Sequence, residues 1–247
     1  ILEPSNQQEA YDMVHYAFEL SEQFKLPVMI RITTRLAHSR SGVVIRRNAK
    51  EQNKVKLPEN PKQYILLPVN ARRQYNELLA KQEDMIKAST QKGFNQYFDA
   101  PDKKIGILAC GLAYNYLMEN FTQTKCQHPI LKVVQYPMPK DMLKKLYEEC
   151  DSILVLEEGQ PLFEQQLQGI LNKGKKVMGR LDGTIPRAGE LSPAKVGKAL
   201  GLQVSEGLPI PSLVAPRPPK LCEGCPHADT YRALNEAVAD YSKGRIF

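Results

Sequence analysis

From Lys103 to about residue 204 the chain repeats one pattern, and no other feature restricts its fold so strongly. A short apolar run rich in β-branched residues is followed by a run with helical spacing, several times over. Ile105–Cys110, Leu131–Tyr136 and Ser152–Glu157 read as strands, with Lys175–Gly179 a shorter fourth. Leu112–Asn120, Lys140–Glu149 and Leu162–Asn172 read as the helices between and behind them, and Gly111 turns the chain after the first strand. Ser192 and Pro193 form a helix start leading to Leu200, with serine at the cap and proline in the first turn. Near-continuous apolar strands are buried on both faces. Alternation with helices therefore predicts βαβ crossovers and an α/β fold, a doubly wound parallel-sheet domain over 103–204.

Before this block, Ser5–Phe24 reads as an amphipathic helix capped by Ser5, and Pro27–Thr34 as a buried strand. Ligands of open α/β sheets gather just beyond strand ends. Arg31, Arg35 and His38 are thus placed where an anion would be met. The alternative is a surface loop with a solvated histidine. Val43–Tyr64 is a polar connector, Ala71–Thr90 a further helix, and Gly93–Asp102 a link; a boundary is expected near Pro101. From 205 to 219 runs a proline-rich, semi-rigid tether.

Hydrophobic residues make up 42% and charged residues 25%, which calls for an ordinary globular core. The net charge of +7 comes mainly from residues 31–62, including Arg40, Arg46, Arg47, Lys50, Lys54 and Lys56. No aromatics interleave this run, which favours a solvated basic linker or a patch facing an acidic partner over nucleic acid. Five cysteines is an odd count, and Cys110, Cys126 and Cys150 lie scattered in or beside apolar runs; a reducing, cytoplasmic setting fits better than a disulfide framework. No apolar run approaches the ~18 residues of a membrane span. The chain opens on Ile1 and closes at Phe247 as though both ends were cut, so it reads as an internal piece of a longer protein.

Chemistry-bearing residues crowd together in Cys222-Glu223-Gly224-Cys225-Pro226-His227, ahead of a helical run from Asp229 to Tyr241. A C-x-x-C turn brings two sulfurs to one side, where they can hold a metal centre. Structural zinc takes four ligands, and an iron–sulfur cluster as a rule four thiolates. Here two thiols and one histidine are at hand, so further ligands would come from elsewhere. The other reading is a pair of buried thiols in a tight turn. Gly106 and Gly111 do not make a dinucleotide fingerprint, because Gly106 falls inside the strand, nor a P-loop, because Leu112-Ala113 follows the last glycine. Glu157 and Glu158 close the third strand. They suit either acid–base work or a polar loop contacting a neighbouring domain.

Three stretches together resemble one family. They are Glu3-Pro4-Ser5 with Pro27–Arg31 and Thr34–Ser39; Gly106–Tyr114; and Cys222–His227. In this order the chain is similar to the large (alpha) subunit of indolepyruvate:ferredoxin oxidoreductase, among the thiamine-diphosphate-dependent 2-oxoacid:ferredoxin oxidoreductases. The chain carries Glu223 where that family usually has proline, and Ala228 where arginine often stands. The resemblance implies a domain map: 1–45 the C-terminal part of a pyrimidine-binding domain, 46–102 a linker, 103–204 a transketolase C-terminal-like domain, 205–219 the tether, and 220–247 the start of a pyrophosphate-binding domain. The flanking pieces would be partial thiamine-enzyme domains. It implies thiamine diphosphate, Mg²⁺ and iron–sulfur clusters as cofactors. A smaller beta subunit, ferredoxin, coenzyme A and a 2-oxoacid would be partners, without nucleic acid or membrane. The expected contributions of this chain are Arg31, Arg35, Cys222, Gly224, Cys225 and His227 at the cofactor, His38 and His227 as catalytic candidates, and Cys222 and Cys225 as metal ligands.

Overall fold

The structure is a computed structural model that describes residues 1–45, 59–170, 176–186, 188–205, 207–215 and 221–242. The expected basic cluster of Arg46, Arg47, Lys50, Lys54 and Lys56 lies outside the described residues. Contacts divide the chain into two compact units, Ile1–Ser205 and Glu206–Phe247.

The repeat seen in the sequence builds the centre of the first unit. Strands β1 (Gln96–Phe98), β2 (Ile105–Cys110), β3 (Ile130–Val133), β4 (Ser152–Leu156) and β5 (Lys176–Met178) form a sheet in the order β1-β3-β2-β4-β5. β2 runs parallel to both β3 and β4, and β4 parallel to β5; only β1 is antiparallel. This is a mostly parallel α/β sheet, as the alternating pattern predicts.

Side chains alternate across a strand, so the central strands β2 and β4 feed two cores. Ile107, Ala109, Leu154 and Leu156 point to one face, where helices α5 (Ala113–Met118) and α8 (Pro193–Ala199) supply Tyr116, Leu117 and Val196. Leu108, Cys110, Ile153 and Val155 point to the other, against Leu143, Leu146 and Leu167 of α6 (Lys140–Glu149) and α7 (Leu162–Ile170). Ser192 caps α8 as expected, its side chain accepting from the Lys195 N–H.

A third core joins the amino-terminal block to the sheet. Met13, Tyr16, Ala17, Leu20 and Phe24 of α1 (Gln7–Phe24) pack with Leu2, Val134 and Ala88, the last from α4 (Gln82–Gln91). Asn95 locks this junction: its side chain accepts from the N–H groups of Val134 and Gln135 and donates to the Gln135 carbonyl at 2.8 Å.

Four local expectations are corrected. α1 is capped by Asn6, whose side-chain oxygen accepts from the Glu9 N–H at 2.8 Å; Ser5 is fully buried and donates instead, from N and Oγ, to the Glu9 carboxylate. Pro27–Thr34 forms no ladder. Only Ile30 bridges Leu2, because Leu2 alone lies alongside, held between the Met29 carbonyl and the Arg31 N–H at 2.8 Å each; a short helix, α2 (Thr34–His38), then begins. The run 71–90 is two helices, α3 (Pro68–Ala80) and α4, parted at Lys81. α3 buries no residue, so Tyr75 and Leu79 are exposed, whereas α4 packs into the third core. Finally, the presumed link 93–102 contains β1.

Candidate functional site

The carboxyl ends of β2 and β4 carry a network of charged groups, several of them buried. Glu157, the first residue past β4, turns its carboxylate onto the start of α7, accepting from the N–H groups of Phe163 and Glu164 at 3.0 Å each. Helix N-termini leave such donors without intrahelical partners. Burial still pushes the Glu157 carboxyl above its usual value. Glu164 is 1% exposed and accepts from the N–H groups of Arg180 (2.7 Å) and Leu181 (3.0 Å), fixing the loop that follows β5. The Arg180 guanidinium is buried too. It donates to the carbonyls of Glu157 (3.1 Å) and Pro186 (2.8 Å) and lies 3.8 Å from the Glu158 carboxylate. Glu158 also accepts from the Leu191 N–H at 3.3 Å. The acidic pair expected at this strand end is thus spent on backbone and guanidinium partners of its own unit.

Arg31 and Arg35 take different partners. Arg31 pairs with the buried Glu3 and donates to the Glu158 carbonyl at 3.0 Å. It faces the chain's own groups at the sheet end. Arg35, the second residue of α2, forks onto Glu190 with contacts of 2.5 and 2.9 Å and lies over the Tyr116 ring, 5.9 Å from its centroid. The Arg35 bonds hold the Glu190 carboxyl below its usual value. With both side chains about half exposed, this pair adds little stability. Burial pushes the Tyr116 phenol up to about 12. His38 ends α2 with its side chain exposed. The next residue ties this helix down: Ser39 donates to the Leu36 carbonyl at 2.7 Å and accepts from Gln7 of α1 at 2.7 Å.

In the second unit, Cys222 and Cys225 flank a turn that contains Gly224, closed by Cys225 N–H to Cys222 carbonyl at 3.1 Å. Helix α9 (Pro226–Ser242) begins at once. The Cys225 sulfur lies 3.4 Å from His227 Nδ1. Among the described residues no group of three or more His, Cys, Asp or Glu side chains is placed to hold a metal ion. The donor set at this turn therefore falls short of the four ligands of zinc or a cluster. Cys222 is exposed, whereas Cys110 and Cys150 are 1% exposed, and burial pushes the Cys110 thiol well up. The thiolate is the nucleophile. Brief iodoacetamide treatment followed by peptide mapping is expected to label Cys222 and spare Cys110 and Cys150 until the chain is denatured. Equal labelling of Cys110 in the native state would contradict the sheet packing.

Sequence reasoning singled out Arg31, Arg35, His38, Cys222, Gly224, Cys225 and His227. Arg31, Arg35 and His38 belong to the first unit; the other four belong to the second. It passed over Glu3, Tyr136, Glu164 and Arg180. An isolated charge carries no burial signal, although Glu3 did fall within a stretch that carried the family resemblance.

Residues 1–104 match the family described as pyruvate flavodoxin/ferredoxin oxidoreductase, thiamine diphosphate-binding. Over 96% of its length the chain is 31% identical to the indolepyruvate oxidoreductase subunit IorA of Methanothermobacter thermautotrophicus, and likewise 32% identical to those of Pyrococcus abyssi and Archaeoglobus fulgidus. Along nearly its whole length the chain is thus similar to subunits of indolepyruvate oxidoreductases. It spans 40% of the length of these curated relatives. A solved 2-oxoglutarate:ferredoxin oxidoreductase from Magnetococcus marinus aligns over 47% of this chain and 21% of its own, at 12% identity and a TM-score of 0.35, which carries no argument about function. Among the described residues no helix is long and apolar enough to cross a membrane.

Proposed function

We infer that the chain serves an enzyme that oxidatively decarboxylates aryl pyruvates, indolepyruvate foremost, to the acyl-coenzyme A with ferredoxin as electron acceptor. The observation that carries this reading is the 31–32% identity to indolepyruvate oxidoreductase subunits along 96% of the chain. Thiamine diphosphate with Mg²⁺ would supply the carbanion chemistry and iron–sulfur clusters the electron path; the protein orients and insulates them. A smaller beta subunit would complete the enzyme.

On this reading residues 1–45 are the end of a pyrimidine-binding domain, 46–102 a linker, 103–204 a transketolase C-terminal-like domain, 205–219 a tether, and 220–247 the opening of a pyrophosphate-binding domain. Arg35 and His38 present a cation and a proton carrier from α2, with Arg31 holding the segment that bears them. Cys222 and Cys225 offer two sulfurs from one turn. His227 and the Gly224 turn stand at the head of α9, where a helix N-terminus favours negative charge.

The test is dye reduction by the complete enzyme, alpha and beta subunits together. Indolepyruvate should drive coenzyme A-dependent reduction of a viologen with a higher kcat/KM than pyruvate or 2-oxoglutarate. A preference for either of those reassigns the substrate. Absence of turnover with all three, in an enzyme carrying its cofactors, leaves a non-catalytic α/β interaction module as the reading.

A further inference from the structure

The connections out of β2 and β4 run in opposite directions, β2 leading to β3 and β4 to β5. The crevice between their carboxyl ends is therefore the sheet's topological switch point, the place where open α/β sheets bind ligands. In this chain a side chain of its own lies on the β2 side of it, over Gly111, and reaches the β4 side through Arg31. Glu3 is 4% exposed, and its carboxylate pairs with Arg31 and accepts from the Tyr136 hydroxyl at 2.8 Å. Gly111, just past β2, gives it room: a Cβ there would fall 2.5 Å from Glu3 Cγ and 2.8 Å from its Oε1. Arg31 then spans to the end of β4 through the Glu158 carbonyl. The backbone carries Glu3 in by ladder-like bonds, Glu3 N–H to Val134 carbonyl at 2.7 Å and Tyr136 N–H to Ile1 carbonyl at 3.0 Å.

We propose that the switch-point crevice is a carboxylate-binding site that the chain fills with Glu3, a built-in ligand that fastens residues 1–31 to the sheet and closes the crevice to small anions. The chemistry is that of a carboxylate receptor. A partly buried guanidinium and a partly buried phenol hydroxyl converge on one carboxylate, and charge-assisted hydrogen bonds of this kind are the strong ones. The reading holds whichever 2-oxoacid the enzyme uses, and it does not depend on the proposed reaction.

The assignment makes a chemical-rescue test possible. Glu3→Gly removes a side chain whose atoms match those of propionate. In the intact chain this variant is expected to melt several degrees below wild type. Millimolar propionate should recover most of the loss, whereas propionamide and chloride at matched ionic strength should not. A ligand that binds only the folded state raises the melting point as its concentration exceeds its Kd. Wild type should not respond, because Glu3 already fills the site. Glu3→Gln, which fills the space without the charge, should melt lower and also not respond. Should Glu3→Gly not fold alone, propionate present during refolding must recover it. The proposal is overturned if Glu3→Gly is as stable as wild type, if propionate does no better than propionamide, or if wild type gains as much from propionate as the variant.

Discussion

Gly111→Val is expected to lower the stability of the chain by about 2–5 kcal/mol, a large share of the ~5–15 kcal/mol that holds a typical protein folded. Two effects add. Gly111 has φ +51°, where a residue with a side chain loses roughly 1–2 kcal/mol. The new side chain would also drive into Glu3, at about 1–3 kcal/mol for overpacking. Gly93→Val is the control. It has φ +72° with nothing within 4 Å of a Cβ, so it should lose only the first part. Urea unfolding measures both, the midpoint moving while the slope stays fixed. Equal losses for the two variants would mean that Glu3 does not lie against Gly111.

The second large effect is expected at Glu164. Glu164→Ala strips the acceptor from the Arg180 and Leu181 N–H groups at a position 1% exposed to solvent. Buried donors left unsatisfied cost about 1–3 kcal/mol each, so for the two together a loss of about 2–6 kcal/mol should follow. Glu164→Gln keeps one carbonyl oxygen and should lose roughly half as much. The Arg180 and Leu181 amide protons give an independent reading, since hydrogen exchange should speed up there before it does in β2. Unchanged protection at those two amides would show that other groups hold the loop.

What the sequence disclosed and what it hid follow from the range of each interaction. β2, β4 and α6 were legible because period and composition are local, and every residue of Leu108–Cys110 faces one of two cores. The Ser192 cap was legible for the same reason. β1 was not: three residues, Gln96–Phe98, carry no period, and only the edge of β3 makes them a strand. Pro27–Thr34 erred in the other direction. Its apolar run signals a strand, but the backbone beside it is Leu2 alone.

The candidate site divides along the same line. The Cys222–His227 cluster is visible as spacing. Arg31, Arg35 and His38 are visible as ionisable residues near an expected strand end, but the partners of the two arginines, Glu3 and Glu190, lie 28 and 155 residues away in the chain. No local pattern joins such pairs. Buried Arg180 and Glu164 are concealed in the same way, each an ordinary polar residue until the fold encloses it.

The three residues of β1 lie ahead of the repeat, yet they are what closes the outer edge of β3. A bare strand edge offers unpaired N–H and C=O groups to any other chain. A chain shortened to begin at Lys103 would keep every strand–helix unit and lose that cover. Ile130–Val133, buried at all four positions in the intact protein, would become a sticky flank. Copies of such a piece would join edge to edge, so these few residues guard the protein against aggregation as well as completing its sheet.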